Sequence, residues 1–217
     1  MRKILSLICC FAIVPVFAQN AIPFCTSMAT RVNVRTPFCH PHYNSQYSRI
    51  EFVKKTNTLL SADTTMGLTH GELGVKLQVK PSVEEKVGQI CVGLQEVTVE
   101  FECPELTVYI DKKYATSSCE YKVIKEHENY HVAVFQQAQK FYKKDIEEAV
   151  YKAIERLSPK IVYTNKEVQP VVKKMHASVV NALKPLLQHI NKKVQEKNAA
   201  IDTPEMYKET AAKCKNW

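Results

Sequence analysis

The run SSCEYKVIKEHENYHVAVFQQAQKFYKKDIEEAVYKAIERLSP, residues 117–159, decides the architecture. Val123, Ile124, Val134, Phe135, Ala138, Phe141, Ile146, Ala149, Ile154 and Leu157 recur at helical spacing, so the run reads as one long amphipathic helix. Ser117 or Ser118 supplies its cap, Glu120 and Tyr121 fall in its first turn, and Ser158-Pro159 ends it. A second helix reads from about Asn165 to Asn198, with Val168, Val172, Met175, Val179, Leu183, Leu186, Ile190 and Val194 on one stripe. Pro170 falls in its first turn and Pro185 is expected to kink its middle. Thr203-Pro204-Glu205 opens a short last helix, Thr203 capping and Pro204 first in the helix.

Upstream the pattern changes. Residues 30–35 and 73–79 alternate, the latter run ending at Pro81, and 94–101 and 106–110 are rich in Val, Thr and Tyr. The two strands flanking Cys103-Pro104 are expected to be neighbours. No Gly follows Gly93, so the helical half lacks that breaker altogether. The expected fold is α+β: a small, mostly antiparallel sheet in 19–115, followed by a long helical hairpin in 116–217.

Met1-Arg2-Lys3, the apolar run Ile4 to Phe17 and Val16-Phe17-Ala18 have the layout of a secretory signal peptide spanning 1–18. Its roughly 14 apolar residues fall short of the ~20 that a membrane span needs, and no later segment is apolar enough. A periplasmic or secreted protein follows. Cleavage removes Cys9 and Cys10 and leaves Cys25, Cys39, Cys91, Cys103, Cys119 and Cys214, an even set suited to disulfides in an oxidising compartment. Cys119 precedes His127 by two helical turns and the hairpin returns the tail to that end, which favours Cys119 with Cys214. Cys91 with Cys103 suits neighbouring strands, and Cys25 with Cys39 remains.

The chain of 217 residues carries 30 Lys and Arg against 22 Asp and Glu, a net charge of +8 that falls to about +6 after cleavage. Its ten Pro, five Gly and lack of G-x-G-x-x-G or Walker sequences argue against nucleotide chemistry of those kinds. For an exported protein a basic surface points away from nucleic acid. It leaves anionic envelope polymers or acidic proteins as partners.

The chemistry lies in His127-Glu128-Asn129-Tyr130-His131. Two His at i and i+4 project from one helical face and can bind one Zn²⁺, with Glu128 beside the open position. In that arrangement the metal acidifies water, Glu128 is the general base, and the substrate is a peptide or protein carbonyl. A third ligand must come from elsewhere. Val134 and Gln137 occupy the places of the extended Gly-x-x-His motif, and Asp145, Glu147 and Glu148 lie ~21 Å or more along a continuous helix. With a turn near residue 161, residues near 191 and 195 lie opposite His131 and His127. His189, Glu196, Asp202 and Glu205 then come into range. Asp202 is preferred because helix signals lapse around it, ahead of His189 and Glu196. Tyr207 is a candidate for stabilising an oxyanion.

From about Ser118 to Trp217 the chain resembles the zincin metallopeptidases, and among them bacterial predicted secreted zinc-dependent proteases. It is more distantly similar to the aspzincins, whose third ligand is an Asp in a Gly-Thr-x-Asp-x-x-Tyr motif. The segment here reads Ala199-Ala200-Ile201-Asp202-Thr203-Pro204-Glu205-Met206-Tyr207, without the Gly-Thr pair and with the Tyr two positions late. The resemblance implies an exported zinc peptidase with an Asp ligand.

Two other features read as structure. Cys39-His40-Pro41-His42 is a turn with incidental His, and His70 lies in a turn before a strand, within reach of a cleft. The competing functional class is a non-catalytic envelope protein whose helical hairpin is a docking surface, with structural zinc or none.

Overall fold

A computed structural model describes residues 24–26, 28–57, 66–215 and 217. The expected signal segment, with Cys9 and Cys10, lies outside them. Seven strands and four helices form among the described residues: β1 (Arg31–Arg35), β2 (His42–Asn44), α1 (Arg49–Thr56), β3 (Gly67–His70), β4 (Gly74–Lys86), β5 (Gln89–Glu102), β6 (Thr107–Ile110), α2 (Cys119–Glu155), β7 (Lys160–Val162), α3 (Asn165–Ala199) and α4 (Pro204–Ala212).

Sheet content is divided in two, with three of five pairings antiparallel. In the larger sheet β5 is central. β4 runs antiparallel along one edge, while β7 and then parallel β1 share the other. The smaller sheet has the order β2-β6-β3, which leaves β3 with a free edge. The expected neighbours across Cys103-Pro104, β5 and β6, therefore sit in different sheets. Cys103-Pro104 is a crossover between them rather than a hairpin turn.

β4 also runs beyond Pro81 to Lys86. Pro81 is tolerated because β4 is an edge strand, and the register shifts at Lys80/Pro81 where the ladder loses a donor. β7 comes from the helical half and joins β5, so that sheet draws on both halves of the chain.

Val97, Val99 and Phe101 alternate inward from β5 against α2 and α3, whose stripes supply Ile146, Val150, Met175, Val179, Leu183 and Ile190. All but Met175 of these are essentially solvent-free. The helix starts behave as expected: Ser118 Oγ accepts from the Tyr121 amide, and Thr203 Oγ1 from the Met206 amide. α3 passes through both Pro170, in its second turn rather than its first, and Pro185.

Three disulfides tie the layers: Cys25–Cys91, Cys39–Cys103 and Cys119–Cys214. The last agrees with the hairpin argument. The other two correct the expected pairing. Cys91 and Cys103 lie at opposite ends of β5, twelve residues of extended chain at about 3.3 Å each, so they are some 40 Å apart and cannot meet. Each instead reaches the amino-terminal segment that passes its own end of the strand. The disulfides fit an oxidising environment. Among the described residues no helix is long and apolar enough to cross a membrane.

Candidate metal centre

α2 presents His127, Glu128 and His131 on one face, and all three are buried, at 6%, 3% and 5% exposure. Such burial is costly for groups this polar unless each has a partner. The partners come from β3, the end of α3 and the loop between α3 and α4.

His127 Nε2 lies 3.1 Å from Asp202 Oδ1, His131 Nε2 lies 3.2 Å from the same oxygen, and the two Nε2 atoms are 3.3 Å apart. On the far side of its ring, His131 Nδ1 donates to Asn198 Oδ1 at 3.3 Å. In the neutral ring that bond puts the proton on Nδ1 and leaves a lone pair on His131 Nε2, aimed at the other two atoms. His127 Nδ1 is buried without a hydrogen-bond partner in the protein. With His127 Nε2 also unprotonated, three acceptor atoms converge on one point and would together hold a positive charge. Ligands at 2.0–2.1 Å in tetrahedral array around Zn²⁺ stand about 3.3–3.4 Å from one another, so the observed triangle fits the donor set of a small tetrahedral ion.

Burial alone would push the Asp202 carboxyl up, but the imidazoles of His127 and His131 beside it outweigh that and hold the group far below the usual carboxylate range. His131 shows the converse: burial disfavours its charged form, yet Asp202 and Glu128 raise its affinity for a proton overall. Both shifts report one cause, a carboxylate and imidazoles that stabilise positive charge between them.

Asp202 stays in place through α4. Tyr207 Oη donates to Asp202 Oδ1 at 3.0 Å, and its ring lies 5.5 Å from that of His127. The Cys119–Cys214 bond and the 3.1 Å Lys213–Glu126 ion pair fasten the end of α4 to the start of α2.

Glu128 is oriented by β3. The Thr69 hydroxyl donates to Glu128 Oε2 at 2.8 Å. A Cβ at Gly67 would stand 2.6 Å from Glu128 Oε1 and 2.7 Å from Ile124 Cγ2. Glycine there is a requirement of close approach, since only a residue without a side chain lets β3 lie against this face of α2. Burial pushes the Glu128 carboxyl above its ordinary value, partly countered by His131 and the Thr69 hydrogen bond. A raised carboxyl is suited to exchanging protons.

These groups open on a cleft of about 760 Å³ that runs from β3 to the end of α3 and includes His70, Asn191 and Tyr207. His127, Glu128 and His131 each offer a ligand atom, and these atoms lie within 4.8 Å of one another.

The other sequence candidates lie elsewhere. His189 is exposed on α3, and Glu196 pairs with Lys193 at 2.7 Å. Neither is among the residues that line the cleft, where α3 contributes Asn191, Val194, Gln195, Asn198 and Ala199. Glu205 is exposed in the first turn of α4. Cys39 is engaged in a disulfide and His40 packs its ring against Phe38.

The hairpin register also differs from expectation. Asn198, not residue 191, meets His131, because β7 lengthens the connection and moves the turn towards residue 165. Gly67, Thr69 and Asn198 were not foreseen. One signal for Asn198 was its place at the end of the α3 stripe after Ile190 and Val194; Gly67 stood out only as one of five glycines.

No family model, curated protein or solved structure matches the chain. The likeness to the zincins therefore rests on the His127-Glu128-His131 group alone.

Proposed function

We propose that the protein is an exported zinc-dependent hydrolase acting on peptide bonds. His127, His131 and Asp202 would hold the ion, with Asp202 the third ligand through Oδ1. The observation that carries the reading is the convergence of these three side-chain atoms at 3.1–3.3 Å beside a buried carboxylate in an open cleft. Bound Zn²⁺ supplies a Lewis acid that acidifies water and polarises a carbonyl.

The rest of the chemistry belongs to the chain. Glu128 takes the proton of the attacking water and passes it to the leaving amine, and its raised proton affinity matches it to that shuttle. Thr69 and Gly67 fix the direction of its carboxylate. Tyr207, already donating at the metal locus, is placed to hydrogen-bond the oxyanion that develops on the carbonyl. Asn198 orients the His131 ring. The disulfides and the apolar N-terminal run support a periplasmic or secreted location.

The docking-surface alternative would draw on an uncovered apolar face of the hairpin. The apolar stripe of α3 is covered by α2 and the larger sheet.

The experiment measures bound metal and hydrolysis of a broad peptide mixture for the protein and for Glu128→Gln. The variant is expected to keep one zinc and lose turnover. A wild-type protein that binds no stoichiometric zinc would overturn the reading.

A further inference from the structure

A second recess adjoins the cleft across α4. Its volume is about 630 Å³, and it shares Tyr207 with the metal cleft, while Met66 on its wall is followed directly by Gly67 on the cleft's. Tyr114, Met66, Ala211 and Trp217 give it an apolar lining, the Tyr114 and Trp217 rings meeting edge-on at 6.2 Å. Three cations stand on it: Arg49, Lys113 and Lys208.

Asp111 is the one acidic side chain among the lining residues, and the backbone engages both its oxygens. The Arg49 amide donates to Oδ2 at 3.2 Å and the Lys113 amide to Oδ1 at 3.0 Å. None of the three cationic head groups forms an ion pair among the described residues. Lys113 Nζ instead lies 4.6 Å over the Tyr114 ring. Among the described residues the recess thus gathers three positive head groups against one acidic side chain, Asp111, around an apolar floor.

We propose that this recess is a subsite for a peptide carboxylate on an apolar stem, so that the cleft selects substrates bearing an acidic group near the reacting bond. The inference rests on the peptidase reading for the word substrate, but its binding chemistry does not. Arg49 and Lys208 make charge-assisted hydrogen bonds to the carboxylate, and the aromatic walls cover the stem. The carboxylate can come from a Glu or Asp side chain or from a chain terminus.

The test is binding, read by calorimetry with the full-length Glu128→Gln protein. The ligands are nonapeptides of alternating Ala and Ser, blocked at both ends, with Glu, Gln or Lys at the centre. A fourth peptide keeps the central Gln and has a free carboxyl terminus. The Glu peptide is expected to bind at least about tenfold more tightly than the Gln peptide, with the Lys peptide weakest, and the ratio should shrink as salt rises. In the Arg49→Gln/Lys208→Gln double variant the ratio should fall to within twofold. Preference for the free-acid peptide alone assigns the site to a chain terminus; preference for the central Glu assigns it to a side chain.

Equal binding of all four peptides by the starting protein overturns the proposal, whatever the double variant does. A preference that survives in a folded double variant also overturns it. Discrimination without any hydrolysis by wild type sinks the peptidase reading and leaves this one standing. Hydrolysis without discrimination does the reverse.

Discussion

Gly67→Ala tests the position of Glu128 without touching a ligand or the carboxylate itself. The new Cβ would lie 2.6 Å from Glu128 Oε1, 3.0 Å from its Cδ and 2.7 Å from Ile124 Cγ2. Carbon contacts are comfortable at about 3.5–4.0 Å, so the pair must separate by roughly 1 Å. Neither side yields freely. Ile124 is 2% exposed within the core, and β3 is tied to β6 from Gly67 through His70. The Glu128 side chain is the softest element and will swing away, losing the Thr69 hydrogen bond. A misplacement of about 1 Å in a catalytic group costs on the order of 10²-fold in rate, about 2.7 kcal/mol of barrier. Overpacking adds about 1–3 kcal/mol of destabilisation. The assay is kcat on a peptide the wild type cleaves, beside zinc content and the thermal melt. Turnover within twofold of wild type would refute the claim that β3 positions the base, and loss of zinc would show that the damage reaches the ligands instead.

Asp202→Asn keeps the side-chain shape but removes the charge, and it should weaken zinc binding by at least about tenfold in a competition titration with a chelator. His189→Ala should leave zinc affinity unchanged; loss of metal in that variant would contradict the placement of His189 outside the cleft. Cys119→Ser/Cys214→Ser opens a loop of 95 residues, with an expected stability loss of about 2–5 kcal/mol in urea unfolding and weaker zinc retention. The Glu51 carboxylate accepts from the Ser48 hydroxyl and amide at 2.6 Å and from Lys112 at 3.0 Å, which lowers it from 4.5 to about 2. Its contribution to α1 is therefore complete above pH about 4.5 and lost as pH falls through about 2. The Cα shifts of Arg49–Thr56 should report fraying in that window, and Glu51→Gln should make them independent of it.

The parts legible in the sequence are those with local causes. His127 and His131 meet because four residues make about one helical turn, a relation independent of anything distant. The starts of α2 and α4 followed from Ser118 and Thr203-Pro204, whose capping chemistry acts over three residues. Asp202 could be narrowed down but not placed, since its position depends on the length of the connection that β7 occupies. Gly67 and Thr69 were hidden for a stronger reason. β3 has four residues, too few for a period to show, and its register is set by β6 and by the face of α2 it must approach. The two misassigned disulfides have the same origin: chain proximity suggested Cys91 with Cys103, whereas an extended strand separates them.

The bond between Cys119 and Cys214 has a consequence for when the centre can exist. His127 and Asp202 are 75 residues apart, and the cystine that holds α4 beside them closes later still along the chain. During synthesis the motif helix emerges with both imidazoles and no carboxylate to complete the triangle. Reducing surroundings then withhold the covalent clasp even from a finished chain. Assembly of the centre is thus ordered, first length and then oxidation, so a copy still inside a reducing compartment lacks the clasp that holds Asp202 in place.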